Sequence, residues 1–243
     1  MTMIERPSPN HDARPEGAAI TVLVLHYTDM PSAGDALQRL CDPGAEVSAH
    51  YLIDEDGTTY RLVEEARRAW HAGRSRWRGI EGINAVSIGI ELQNPGHSHG
   101  YRPFPAVQMA ALAGLASGIL ARQPIPPRNV VGHSDIAPER KLDPGELFDW
   151  PGLAARGVGL WPDPAADHDI APLREGDQGP RVAGLHAALA RYGYGLGPGD
   201  RFDPSTTAVV QAFQRHFRPD RIDGVWDGAC AARLARLLAL AGD

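Results

Sequence analysis

Two widely separated segments hold the residues best suited to chemistry. One reads Thr21-Val-Leu-Val-Leu-His26-Tyr-Thr; the other reads Gly132-His133-Ser-Asp-Ile-Ala-Pro-Glu-Arg-Lys141-Leu-Asp143-Pro-Gly. Together they supply two imidazoles and a carboxylate, with a lysine two positions before the carboxylate. Two His and one Asp suit a catalytic zinc, because three protein ligands leave the fourth tetrahedral position open. Between the segments, Ser87-Ile-Gly-Ile-Glu91-Leu places a glutamate near the end of an apolar run. A metal, a carboxylate base and a cation for a developing oxyanion make up the inventory of a metal hydrolase.

Taken singly, each residue has a plainer reading. His26 could be a hydrogen-bonded histidine at a strand end, Lys141 a surface lysine, and Asp143 before Pro144-Gly145 a turn residue. Glu91 resists dismissal: an unpaired buried carboxylate costs several kcal/mol, so it needs an ion-pair partner or a task. His97 and His99, in Pro-Gly-His-Ser-His-Gly, have the spacing of a loop metal pair but read better as a solvated loop. His168, His186 and His216 read as surface residues.

These side chains must be aimed by strand ends. Ala19 to Tyr27 is a continuous apolar run, as expected of a central strand buried on both faces, so helices should cover both sides of its sheet. Ser32 to Leu40 reads as a short helix. His50-Tyr-Leu-Ile-Asp and Thr58-Thr-Tyr-Arg-Leu-Val read as two strands joined through Glu55-Asp56-Gly57, a tight-turn signal. Val86 to Leu92 is a further strand. Pro105 to Gln123 is the longest helix, opened by a first-turn proline and stopped by Pro124-Ile-Pro-Pro. Asn129-Val-Val is a short strand that delivers His133. Residues 1 to about 16 read as an irregular arm.

The composition changes near Trp161. Pro162-Asp-Pro-Ala-Ala-Asp-His-Asp-Ile-Ala-Pro lacks periodicity and reads as a linker. Beyond it come three short amphipathic helices, Arg181 to Tyr192, Pro204 to Phe217 and Gly228 to Ala241. The last two share an aromatic-Asp entrance, Phe202-Asp203 and Trp226-Asp227, a faint internal repeat with Asp as helix cap. The expected division is an arm at 1–17, a catalytic domain at 18–160, a linker at 161–171 and a small bundle at 172–243.

The chain has 243 residues, 43% hydrophobic and 22% charged, with a formal net charge of −6. That balance is ordinary for a globular protein, and without a basic block it argues against nucleic-acid or anionic-membrane partners. Cys41 and Cys230 are expected as free thiols in different domains. The polar, proline-broken start shows no export signal, lipid anchor or transmembrane stretch. The expectation is therefore a cytoplasmic monomer, with a periplasmic or wall-associated location as the alternative.

Five stretches in one order carry a family resemblance: Leu-His26-Tyr-Thr, Val47-Ser-Ala-His50-Tyr-Leu-Ile, Ala69-Trp70-His71-Ala-Gly73, Asn84-Ala-Val-Ser-Ile-Gly-Ile-Glu91-Leu, and Val131-Gly-His133 with Lys141-Leu-Asp143-Pro-Gly. Residues 18–160 thereby resemble the zinc-dependent N-acetylmuramoyl-L-alanine amidases of the type-2 family, relatives of the peptidoglycan recognition proteins. The resemblance implies an α/β fold with a central mixed sheet flanked by helices. It makes His26, His133 and Asp143 the Zn²⁺ ligands, Glu91 the general base and Lys141 the oxyanion cation. Trp70, His71 and Asn84 fall at positions near the family's substrate groove, and His50 at a supporting position. The implied reaction is cleavage of the amide between N-acetylmuramic acid and L-alanine in peptidoglycan or (anhydro)muropeptides, for wall turnover or recycling.

Residues 172–240 resemble a three-helix peptidoglycan-binding domain, carried by Leu173-Arg-Glu-Gly-Asp-Gln-Gly-Pro-Arg-Val, Phe202-Asp-Pro-Ser-Thr-Thr and Ile222-Asp-Gly-Val-Trp-Asp-Gly. A bundle that only packs on the catalytic domain is the alternative. Two other functions stay open: recognition without cleavage, and a zinc peptidase or deacetylase acting on another bond of the same polymer.

Overall fold

The computed structural model describes residues 3–163 and 166–242. Its strands are β1 (Met3–Glu5), β2 (His11–Ala13), β3 (Val22–Tyr27), β4 (Tyr51–Ile53), β5 (Thr59–Arg61), β6 (Arg67–Ala69), β7 (Arg76–Trp77), β8 (Ile80–Glu81), β9 (Ser87–Leu92) and β10 (Val130–Gly132). Its helices are α1 (Ala33–Cys41), α2 (Gly96–His99), α3 (Ala106–Arg122), α4 (His133–Ile136), α5 (Trp150–Ala154), α6 (Pro180–Tyr192), α7 (Pro204–Phe217) and α8 (Gly228–Leu240).

Six strands form a mixed sheet in the order β1-β5-β4-β9-β3-β10. The β4–β5 pair is antiparallel and the other neighbours are parallel. The apolar run of β3 is buried at all six positions, because both faces of the sheet are covered. Leu23 and Leu25 share a core with Leu112 and Ala116 of α3. Val22 and Val24, pointing the other way by the two-residue period of a strand, share a core with Leu189, Val210 and Phe213 of the C-terminal helices. The second covering layer is thus the bundle itself.

The helix signals behave as their chemistry requires. The Ser32 side chain caps α1 by accepting from the Asp35 N–H. Asp203 and Asp227 cap α7 and α8 in the same way, through the Thr206 and Cys230 N–H groups. Pro105 is the residue that precedes α3 and not part of its first turn. The hairpin between β4 and β5 turns at Gly57, whose φ is 85°.

Two expectations are corrected. The N-terminal arm is not irregular: β1 adds to the sheet edge beside β5, and β2 pairs with β6, so short polar segments gained backbone partners that no local periodicity announces. His186 and His216 are buried, at 6% and 4% exposure, because the face of the bundle that carries them is packed and not solvated. Among the residues assigned to the arm and linker, Met1, Thr2, Pro164 and Ala165 lie outside the described residues. The described part of 161–171 contains no helix or strand. Both cysteines are free. No helix among the described residues is long and apolar enough to cross a membrane.

Candidate metal centre

The parallel register of β3 and β9 pairs His26 with Glu91, and Val24 with Gly89. Both functional side chains therefore leave the same face at the carboxyl ends of neighbouring strands. β10 lies on the other side of β3 and ends at Gly132, which hands the chain to α4, where His133 is the first residue. The loop after α4 returns Asp143 to the same point.

The three donors converge. His26 Nδ1 lies 3.0 Å from His133 Nδ1 and 2.9 Å from Asp143 Oδ2, and His133 Nδ1 lies 3.1 Å from that oxygen. All three residues are buried. A tetrahedral site with bonds of about 2.0–2.1 Å has ligand-to-ligand edges near 3.3 Å, so the triangle is of the right size for a small cation.

The outer contacts set the tautomers. The His133 Nε2–H donates to the Ala72 carbonyl at 3.1 Å. His26 Nε2 and His71 Nδ1 are 3.0 Å apart, and His71 Nε2 and Ser87 Oγ are 3.1 Å apart, a chain that is satisfied when both Nε2 atoms carry the proton. In those tautomers the Nδ1 atoms of His26 and His133 carry no proton and face one another beside a carboxylate. Such an arrangement is repulsive between the two lone pairs unless a cation lies among them. Burial, then the neighbouring His133, pushes His26 down to about 4, which keeps it in the neutral form a metal requires. Burial alone would raise the Asp143 carboxyl, but His133 and His26 beside it hold it well below the usual carboxylate range. The donor set fits a divalent metal with imidazole and carboxylate preference, zinc included.

Glu91 faces the same cleft of about 370 Å³, which His26, His133, Asp143, Lys141 and Trp70 also line. Its Oε2 is buried and has no hydrogen-bond partner. Burial pushes its pKa well above the ordinary carboxylate value, the Asp143 charge pushes the same way, and Lys141 opposes them. Lys141 is half-buried in the wall of the cleft.

The expected groove residues divide by position. Trp70 is half-buried and lines the cleft. His71 also borders it, but both its ring nitrogens are occupied, by His26 and Ser87. Asn84 does not border the cleft: its Oδ1 accepts from the His71 and Ala72 N–H groups at 3.1 and 2.7 Å and so fixes the loop behind His26. His50 is fully buried beneath, its Nδ1 accepting from the Gly89 N–H at 3.0 Å. His97 is exposed, as expected, but it lies in the one-turn helix α2 and borders the cleft. There it stacks on Tyr101 at 4.4 Å and hydrogen-bonds the Tyr27 hydroxyl at 2.8 Å. Tyr101 is only four residues away, but Tyr27 comes from a distant segment, so the sequence context does not announce the cluster.

Gly89 makes room for His71. A Cβ at position 89 would collide with the His71 ring, whose two nitrogens are already engaged by His26 and Ser87. Gly89→Ala is therefore expected to displace that ring, lowering stability by about 1–3 kcal/mol and metal affinity by roughly tenfold. Denaturant melts and a zinc-competition titration check both.

His50 gives a pH dependence remote from the donors. Burial, then the Arg14 charge, pushes it down to about 3. Its neutral form contributes stability above the unfolded pKa near 6.5, and that contribution is lost as pH falls from there toward 3. The limiting loss is about 1.4 kcal/mol per pH unit. Urea unfolding of the wild type should weaken steadily from pH 6.5 to 5, with a flatter slope in His50→Asn.

Comparison with known proteins gives consistent matches. The model of the N-acetylmuramoyl-L-alanine amidase family matches residues 16–146, and that of a putative peptidoglycan binding domain matches residues 178–234. The N-acetylmuramoyl-L-alanine amidase AmiD of Escherichia coli K12 is 40% identical over 252 residues, covering 97% of this chain and 90% of that protein. The structure of E. coli AmiD in complex with anhydro-N-acetylmuramic acid-L-Ala-D-gamma-Glu-L-Lys superposes with a TM-score of 0.80 at 40% identity, covering 94% of this chain and 93% of that one. AmpDh3 of Pseudomonas aeruginosa in complex with anhydromuramic pentapeptide gives a TM-score of 0.80 at 35% identity, covering 93% and 94%.

Proposed function

The chain belongs to the N-acetylmuramoyl-L-alanine amidase family, and on that premise we propose how its own residues hydrolyse the amide between N-acetylmuramic acid and L-alanine of a muropeptide. The observation that carries the reading is the convergence of donor atoms from His26, His133 and Asp143 beside an unpartnered, buried Glu91 oxygen. Those three residues would hold a zinc ion. When bound it supplies Lewis acidity toward the carbonyl and toward water.

Glu91 is the general base. Its Oε2 takes a proton from the attacking water as the oxygen adds to the lactyl carbonyl carbon, and returns that proton to the alanine nitrogen as the C–N bond breaks. Burial strengthens the drive, because a desolvated carboxylate with no partner gains more from a proton than a solvated one does. Lys141, on the cleft wall, offers its ammonium to the negative charge that develops on the former carbonyl oxygen. His71 and Ser87 hold the His26 ring in the tautomer that ligates, and Ala72 does the same for His133. Trp70 gives an apolar wall for the substrate. The products are a muramic acid carboxylate and a stem peptide with a free alanine amine.

Anhydromuropeptides are the substrate class favoured by the complexes of the two relatives. The test is mass spectrometry of products after incubation with purified anhydromuropeptides, with and without a chelator. Stem peptides beginning at L-alanine are expected, lost on chelation and restored by zinc. Intact muropeptides in the presence of bound zinc would instead indicate recognition without cleavage.

A further inference from the structure

The helix that presents His133 is one turn long, His133–Ile136. A single turn has no stability of its own, since nucleation costs more than one hydrogen bond returns. Something outside must hold it. Asp135, 1% exposed, is at the centre of what does. Its Oδ2 accepts from the Gly132 N–H at 2.8 Å, which fixes the backbone immediately before His133. The same oxygen accepts from His216 Nδ1 at 2.7 Å, and Oδ1 accepts from the Tyr194 hydroxyl at 2.8 Å. Both of these donors belong to the C-terminal bundle.

The bundle's grip is rigid. The His216 ring lies between Trp150, at 3.6 Å, and Phe217, at 3.8 Å. Tyr194 meets Trp77 edge-on at 5.2 Å. Ser134 of the same turn donates its N–H to the Asp143 carbonyl at 2.9 Å, so the held turn also holds the backbone of the carboxylate donor. A separate link reaches the mouth of the cleft: Arg215 of α7 lies 3.8 Å from Glu146, whose other oxygen is 3.3 Å from His97 Nε2.

We infer that Asp135 is a positioning residue for the metal centre, and that Tyr194 and His216 make the C-terminal bundle a structural part of that centre. The inference rests on the reading of His26, His133 and Asp143 as metal donors. It goes beyond a wall-tethering role for the bundle: the Asp135 contacts preset the distance between His133 and Asp143 before any metal arrives, which raises affinity by preorganisation.

The experiment compares full-length Tyr194→Phe and His216→Gln with Leu234→Ala, a cavity variant in α8 within the same apolar cluster. Zinc dissociation constants are measured by competition with a chromophoric chelator, and the folded fraction by denaturant melts. Tyr194→Phe is expected to weaken zinc binding about threefold and His216→Gln about tenfold. Leu234→Ala should lose stability with zinc affinity unchanged. If His216→Gln does not fold, Tyr194→Phe decides alone, since it removes only a hydroxyl. Wild-type zinc affinity in the interface variants that fold, or equal weakening in Leu234→Ala, overturns the inference. Because the readout is metal affinity, failure of the amidase reading would be seen separately, as bound zinc without turnover.

Discussion

Glu91→Gln is expected to lower kcat by about 10²–10⁴-fold, the usual contribution of a general base, while leaving zinc affinity close to that of the wild type. Glutamine keeps the shape of the side chain and loses its ability to take a proton. The residue touches none of the three donors through a hydrogen bond, and its Oε2 has no partner at all. Its carboxyl is already pushed well above the ordinary range by burial and by the Asp143 charge. A group held at such cost is a liability to the fold, so the neutral variant should melt at or above the wild-type temperature. Lower activity with equal or higher stability is the signature of a residue kept for chemistry. A kcat within threefold of wild type would remove Glu91 from the proton path.

Asp143→Ala should abolish turnover by a different route. The Asp143 carboxylate stands 2.9 and 3.1 Å from the two imidazole Nδ1 atoms. Its removal leaves two neutral donors and no anionic one. Loss of an outer contact around a metal ligand costs 10–100-fold in affinity, so loss of the ligand itself should exceed about 100-fold. Chelator competition on the purified variant gives the number directly. Retention of wild-type zinc affinity would exclude Asp143 as a ligand. Unlike Glu91→Gln, which should lose kcat with zinc affinity intact, this variant should lose activity together with zinc affinity.

Much of this site was legible in the residues. A six-residue strand that carries His26 next to its end, and a second that carries Glu91 next to its end, are visible as runs, and the parallel pairing of the two is what an α/β sheet imposes. The convergence of Asp143 on His133 follows from a loop of suitable length. The helices of the bundle were announced by Asp203 and Asp227, whose capping chemistry is local. What could not be read was everything set by contacts between distant segments. β1 and β2 are three residues long, too short for any period to show, and exist because partners lie beside them. Asn84 falls in a motif expected near the groove, and its two backbone contacts behind His26 depend on the fold. His216, a residue of the small bundle expected at the surface, is buried by partners from other segments. The Asp135 carboxylate that buries it lies 81 positions away.

In the proposed reaction water adds to the lactyl carbonyl of muramic acid and the alanine nitrogen leaves. Hydrolysis of an anhydromuropeptide in oxygen-18 water, followed by mass spectrometry of both fragments, tests it most directly. One heavy oxygen is expected in the carboxylate of the sugar fragment and none in the stem peptide. A heavy oxygen in a peptide carboxylate, or in released acetate, would contradict it.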